Sequence, residues 1–194
     1  MTHSDPTLFH VERTIDECLR ARAERRERPY QVATVEDVRA PLAAWLQEEL
    51  DRAITVENLV RAPGGASKEN FFFDLVDQHT RRALLLRLDP GASIVETHRL
   101  REFQILHAVH GVIPVPQVIA VDAEGTRMGR PALIMEKVSG RPQPEVGGRP
   151  SGVGMAFEPA LRESLAGDFV NALVQLHALN WRDHTLSAFE VPRA

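Results

Sequence analysis

Gly64-Gly65-Ala66-Ser67-Lys68-Glu69-Asn70 separates two runs of different texture. Before it, Ile54-Thr55-Val56-Glu57-Asn58-Leu59-Val60 begins with apolar residues on alternate positions. After it comes Phe71-Phe72-Phe73-Asp74-Leu75-Val76, rich in aromatic and β-branched residues. Two strand-like runs joined by a Gly/Ser/Asn loop predict a hairpin. Adjacent glycines let a backbone approach a ligand closely, and a hydroxyl among exposed amides suits a phosphate. Gly64, Gly65, Ser67 and Asn70 are therefore candidate binding residues. A plain turn accounts for the same residues through their φ preferences, so the loop alone leaves both readings open.

Outward from the loop, Ala83-Leu84-Leu85-Leu86-Arg87-Leu88 reads as a short apolar strand with one basic residue, stopped by Asp89-Pro90-Gly91. Ser93-Ile94-Val95-Glu96 has the form of a capping box and predicts a helix over Ile94–His110. Leu100, Phe103, Leu106 and His110 fall along one face of it, with Glu102 beside them. Val118-Ile119-Ala120-Val121 and Ala132-Leu133-Ile134-Met135-Glu136, either side of a turn at Asp122–Gly125, make a second hairpin. The order hairpin, basic strand, acid-bearing helix, hairpin predicts an α+β fold. Its centre is an antiparallel sheet of about five strands crossed by one helix between the third and fourth strands.

The flanks are helical. From Val11 to about Arg28, Ile15, Cys18 and Leu19 form a thin apolar stripe among charges, with Asp16/Arg20 and Glu24/Arg28 at i,i+4 spacing. Thr34 caps a second helix with Val38, Leu42, Trp45, Leu46 and Leu50 on one side. Pro41 inside that pattern predicts a regular start only near Ala40. Residues 139–158 are rich in Gly and Pro and predict a linker without regular structure. Pro159 opens a last helix with Leu161, Leu165, Phe169, Ala172, Leu173, Leu176 and Leu179 at core spacing. The expected organisation is a helical extension (1–33), a sheet-centred lobe (34–138), a linker (139–158) and a helix beginning a second lobe (159–194).

The chain has 194 residues, 43% of them hydrophobic, and a net charge of −4. That balance argues against a nucleic-acid partner or an anionic membrane surface. One cysteine, Cys18, excludes an intramolecular disulfide and fits a reducing compartment. No apolar run approaches the ~18–20 residues that span a bilayer, and the first residues lack the pattern of a signal peptide. A cytoplasmic protein is expected. His107 and His110 stand at i,i+3 with His98 nine residues before His107, no cysteine accompanies them, and no metal site is expected among them.

LLLRLDPG (84–91), ETHRLREFQILHAVHG (96–111), IPVPQVIAVD (113–122) and GRPALIMEKVSG (129–140) together resemble the aminoglycoside phosphotransferase-like family of small-molecule kinases. More narrowly they are similar to the branch of phosphotransferase domains associated with acyl-CoA dehydrogenases. The resemblance runs from about Val35 to Trp181. It implies the N-terminal lobe of a kinase-type fold, using ATP (or GTP) with Mg²⁺ to phosphorylate a hydroxyl of a small-molecule alcohol.

Arg87 then stands where the kinase fold places a lysine against the phosphates, paired with Glu102 on the following helix. A guanidinium suits both carboxylate and phosphate. Without the resemblance, a strand-end arginine and a solvated helical glutamate would be the plainer reading. Met135, Glu136, Lys137 and Val138 resemble the hinge between lobes, whose backbone would meet the adenine edge while Met135 lies at the back of the slot. Leu176-His177-Ala178-Leu179-Asn180-Trp181 resembles the end of the first long helix of the C-terminal lobe.

The family's catalytic triplet, His-Gly-Asp with an Asn five residues after the Asp, has no match here, so the resemblance assigns no catalytic or metal-ligating residue to the chain. Two expectations follow. One is the nucleotide-facing part of a truncated phosphotransferase, binding nucleotide weakly, not transferring phosphoryl and self-associating through an exposed lobe face. The other is a non-catalytic module of the same fold that binds nucleotide or a partner.

Overall fold

The computed structural model describes residues 12–25, 31–62, 69–90, 97–140, 145–146, 149–150 and 159–191. Its organising element is β3 (Arg81–Leu88). Leu84, Leu86 and Leu88 are buried on one face of this strand, and Leu85 and Arg87 lie on the other. The period of two in a half-buried strand does this. Around it stand β1 (Thr55–Arg61), β2 (Glu69–Val76), β4 (Val118–Asp122) and β5 (Ala132–Glu136). They form one sheet in the order β1-β2-β3-β5-β4, antiparallel throughout. The expected five-stranded α+β lobe is what the chain forms.

Each face of the sheet carries one helix. α2 (Val35–Leu50) buries Val38, Leu42, Trp45 and Leu46 against Phe71, Phe73, Leu84 and Leu86. Removing one such large side chain from water contributes roughly 1.5–3 kcal/mol. Thr34 caps α2 in a reciprocal box with Asp37. The helix begins at Val35, not near Ala40, and carries Pro41 in its interior. The capping box and the buried face outweigh the one hydrogen bond a proline cannot make.

The opposite face carries α3 (Arg99–Val109), whose Phe103 and Leu106 pack on Val118, Leu133 and Met135. This helix starts later than expected: His98 is its N-cap, and Ser93-Ile94-Val95-Glu96 lies outside the described residues. Of the expected face, Leu100, Phe103 and Leu106 are partly buried and His110 is exposed, while the fully buried positions are Arg99, Gln104, Ala108 and Val109. Arg99 and Gln104 go inside because distant polar partners meet them there.

Two local devices shape the strands. β1 is bulged between Glu57 and Val60, where Asn58 takes a left-handed φ of 50° and donates to Asp74 at 2.7 Å. The β4–β5 turn is built on buried Asp122, which accepts from the N–H groups of Thr126, Arg127 and Met128 at 2.9 Å each. Gly125 in that turn has φ 73°, and a Cβ there would meet the Arg130 carbonyl carbon at 2.6 Å.

The outer segments partly depart from expectation. α1 (Arg13–Arg25) buries Thr14 while Ile15 and Leu19 stay largely exposed. Residues 139–158, expected to lack regular structure, hold a short antiparallel ladder of β6 (Glu145–Val146) and β7 (Arg149–Pro150). α4 (Pro159–Ala178) buries none of its residues, so its apolar residues at core spacing have no core to enter among the described residues, and a 3₁₀ turn follows at Trp181–Asp183.

Candidate functional site

Arg87 leaves β3 on the α3 side of the sheet, and Glu102 comes down to it from the first turn of α3. Arg87 Nη1 donates to Glu102 Oε1. The other carboxylate oxygen accepts from Arg99 Nη1, and Arg99 Nη2 donates to Asp89 Oδ1. The result is an alternating chain, Arg87–Glu102–Arg99–Asp89. Arg99 is fully removed from solvent, whereas the Arg87 side chain keeps 30% of its exposure. Arg87 is thus the end of the chain that a ligand can reach.

Asn70 faces Arg87 directly across the β2–β3 ladder. Asn70 Oδ1 and Arg87 Nε are both buried and without a hydrogen-bond partner among the described residues. Trp45 Nε1 and Arg99 Nε share that state among the described residues; what distinguishes Arg87 is the 30% of its side chain that stays exposed. Gly64, Gly65 and Ser67 lie outside the described residues. Glu69 and Asn70, expected in the loop, belong to β2, and Ala62 N donates to Asn70 O at 2.8 Å.

At the end of β5, Met135 is buried against Val118 and Leu133. Two of the three backbone donors expected to face a ligand are spent within the sheet. Glu136 N donates to Gln117 O at 2.8 Å and Lys137 N to Ala83 O at 3.1 Å. Val138, 65% exposed, keeps an N–H with no partner among the described residues. Lys137 Nζ lies 4.6 Å from the centre of the Phe72 ring. Phe72 is opposite Val60 on one side and Leu85 on the other, so these three form an apolar strip on Arg87's face of the sheet. The Glu136 carboxylate is occupied by Arg82 at 3.2 Å.

A cavity of about 580 Å³ opens beside the ion pair. Arg87, Glu102, Leu106 and Met135 line it from the lobe, and Ile15, Cys18 and Leu19 of α1 wall it from outside together with Phe189. The volume is in the range of about 300–1,000 Å³ usual for small-molecule pockets. At its rim His98 Nδ1 accepts from Arg101 N at 3.4 Å, and burial pushes the His98 pKa down.

The chemistry available is recognition of an anion and of an apolar ring. Arg87 is a permanent cation with a donor to spare. Glu102 is no free base, because guanidinium groups take both of its oxygens. Mg²⁺ needs oxygen ligands, and neither Glu102 nor the Arg99-bound Asp89 leaves a carboxylate open beside Arg87. The described residues do not compose a Mg²⁺ site.

Sequence reasoning brought Arg87 and Glu102 together correctly and missed Arg99, Asp89 and the place of α1 as a wall of the cavity. Arg99 reads locally as a helix-surface charge, and Asp89 as a turn residue before proline. The usable signal for the first was its i,i+3 spacing to Glu102. For α1 it was the Ile15, Cys18, Leu19 stripe.

The model of a family described as "Phosphotransferase enzyme family" matches residues 58–194. The crystal structure of a "putative aminoglycoside phosphotransferase" from Ralstonia eutropha JMP134 is similar, with a TM-score of 0.56 at 23% identity. The match covers 78% of this chain and 41% of that one, so the chain spans less than half that protein's length. At this identity the likeness concerns the fold. The chain matches none of the curated proteins.

Proposed function

Because this chain belongs to the phosphotransferase enzyme family, we propose that its sheet face binds ATP (or GTP) for transfer of a phosphoryl group to the hydroxyl of a small-molecule alcohol. One observation carries the reading: the Arg87 guanidinium, opposite Asn70 on the ladder and still partly exposed, is held in place by its ion pair with Glu102. Arg87 would take phosphate oxygens in its fork, with Asn70 beside it; Gly64, Gly65 and Ser67 are proposed as further phosphate contacts from the sequence. The base would lie on the strip of Val60, Phe72 and Leu85, its edge meeting the Val138 N–H and its back reaching Met135. Glu136 and Lys137 serve this site as sheet rather than as donors.

Mg²⁺, when bound with the nucleotide, supplies charge neutralisation at the phosphates. The residues described here contribute position and the Arg87 charge. The proposed branch is that of the acyl-CoA dehydrogenase-associated domains, on the four motifs quoted above. No described helix is long and apolar enough to cross a membrane, and the proposed setting is the cytoplasm, where ATP is abundant.

Titration calorimetry with ATP, with and without Mg²⁺, tests the reading on the wild-type chain and on Arg87→Ala. Saturable binding that weakens by roughly tenfold or more without Arg87 is expected, the effect of losing one charge-assisted pair. Equal affinity in the two proteins would sink it.

A further inference from the structure

Glu102 sits on α3 between Arg101 and Gln104, and both neighbours are held by chain far away in sequence. Gln104 is buried; its Nε2 donates to Ser187 Oγ at 2.8 Å and its Oε1 accepts from Ala188 N at 3.0 Å. The Ala188 carbonyl accepts from buried Thr14 Oγ1 at 3.0 Å. Arg101 donates to Thr14 Oγ1 at 2.7 Å and to Glu12, and its guanidinium lies over the Phe189 ring at 4.0 Å. Glu190 N donates to Glu12 Oε1 at 3.1 Å, and Arg13 N donates to Glu190 Oε1 at 2.9 Å. The start of α1, the middle of α3 and residues 187–190 are thereby tied into one clasp.

The clasp matters because the apolar hold of α3 on the sheet is partial. Phe103 and Leu106, which make that contact, are only half-buried. A helix turns about 100° per residue, so a modest roll about its axis carries Glu102 away from Arg87. Alongside the Arg99–Asp89 pair, Gln104 opposes such a roll, since its one amide is satisfied at both ends by consecutive residues. Glu12 and Thr14 lie ahead of the segment that matches the family, residues 58–194.

We propose that Arg101 and Gln104 are positioning residues: by clasping α3 to the start of α1 and to residues 187–190, they fix the roll at which Glu102 holds Arg87. The consequence for nucleotide affinity rests on the function proposed above; the geometric claim does not.

The test follows the Arg87 Nε–H resonance in isotope-labelled full chain, together with ATP affinity and thermal stability. Gln104→Leu is expected to shift or broaden that resonance and to weaken ATP binding roughly fivefold, the size of a coupled pair. In an Arg87→Ala background the same change is expected to leave affinity alone. Ser187→Ala removes one of the two bonds at an exposed position and is expected to do the same on a smaller scale, with the fold intact even where Gln104→Leu loses it. An unmoved Arg87 resonance in both variants overturns the proposal, as does an equal loss of ATP affinity with and without Arg87. If wild type binds no ATP while the Arg87 resonance still moves, the nucleotide reading falls and the positioning role stands.

Discussion

Arg99 donates to Glu102, three residues further along α3, from a side chain wholly removed from solvent. Its other terminal nitrogen holds Asp89, so one buried guanidinium lies between two carboxylates. Two cations and two anions alternate along Arg87–Glu102–Arg99–Asp89, and their charges cancel. The pairing fixes the carboxylate from behind and leaves the solvent-facing guanidinium of Arg87 as the group a ligand meets.

Arg99→Met takes the buried guanidinium away from Asp89 and from one oxygen of Glu102, whose other oxygen keeps Arg87. The expected cost is about 3–5 kcal/mol of folding stability, as for other buried pairs broken on one side. Arg99→Lys is expected to recover only part of it, because one ammonium does not reproduce a fork that serves two acids. Urea denaturation of the three proteins measures this. A Met variant within ~1 kcal/mol of wild type would show that the pair contributes little.

Acid should weaken the fold in two stages. Burial is the chief cause of the lowered His98 pKa; Glu124 and Glu17 oppose it, and Arg101 and Arg13 add to it. A folded pKa below the unfolded 6.5 means that the unfolded chain takes the proton first. This contribution is therefore complete above about pH 6.5 and is lost as the pH falls. Protonation also removes the Nδ1 acceptor that caps α3. Further down, Asp77, held low by the N–H groups of His79 and Thr80, and Asp37, held low by Thr34, act in the same direction below about pH 4. His98→Asn keeps a capping acceptor and is expected to abolish the upper stage alone. A wild-type Tm that stays flat through the upper stage contradicts this.

α4 presents Phe169, Val170, Leu173 and Val174 to solvent, with Phe169 69% exposed. An apolar face of this kind seldom stays uncovered in solution. Concentration-dependent self-association is expected in sedimentation velocity, and Phe169→Glu with Val174→Lys is expected to reverse it. A chain that sediments as a monomer at every concentration would rule this out.

What was legible in the sequence is what repeats locally. The aromatic and β-branched run Phe71–Val76 and the apolar run Ala83–Leu88 placed two strands, and the order of motifs placed Arg87 against Glu102. What was hidden depends on partners remote in the chain. Arg99 and Gln104 are polar residues in a helical pattern, and nothing within a few residues says that Asp89 and residues 187–188 will take them inside. The start of α2 was misplaced because Pro41 was given more weight than the Thr34/Asp37 box. The exit of β5 was half legible: its residues were identified, but ladder bonds decide which N–H groups remain open, and those follow from the register with Ala83 and from the contact with Gln117.

The central claim is that nucleotide sits on the Arg87 face of the sheet, between Val138 and Asn70. NMR titration of the labelled chain with ATP tests it most directly. The Val138 backbone N–H and the Arg87 Nε–H report on that face, and the indole N–H of buried Trp45 reports on the other. The Val138 and Arg87 signals are expected to move together, saturably, while the Trp45 signal stays in place. Stationary Val138 and Arg87 signals, or shifts confined to Trp45 and α2, would contradict it.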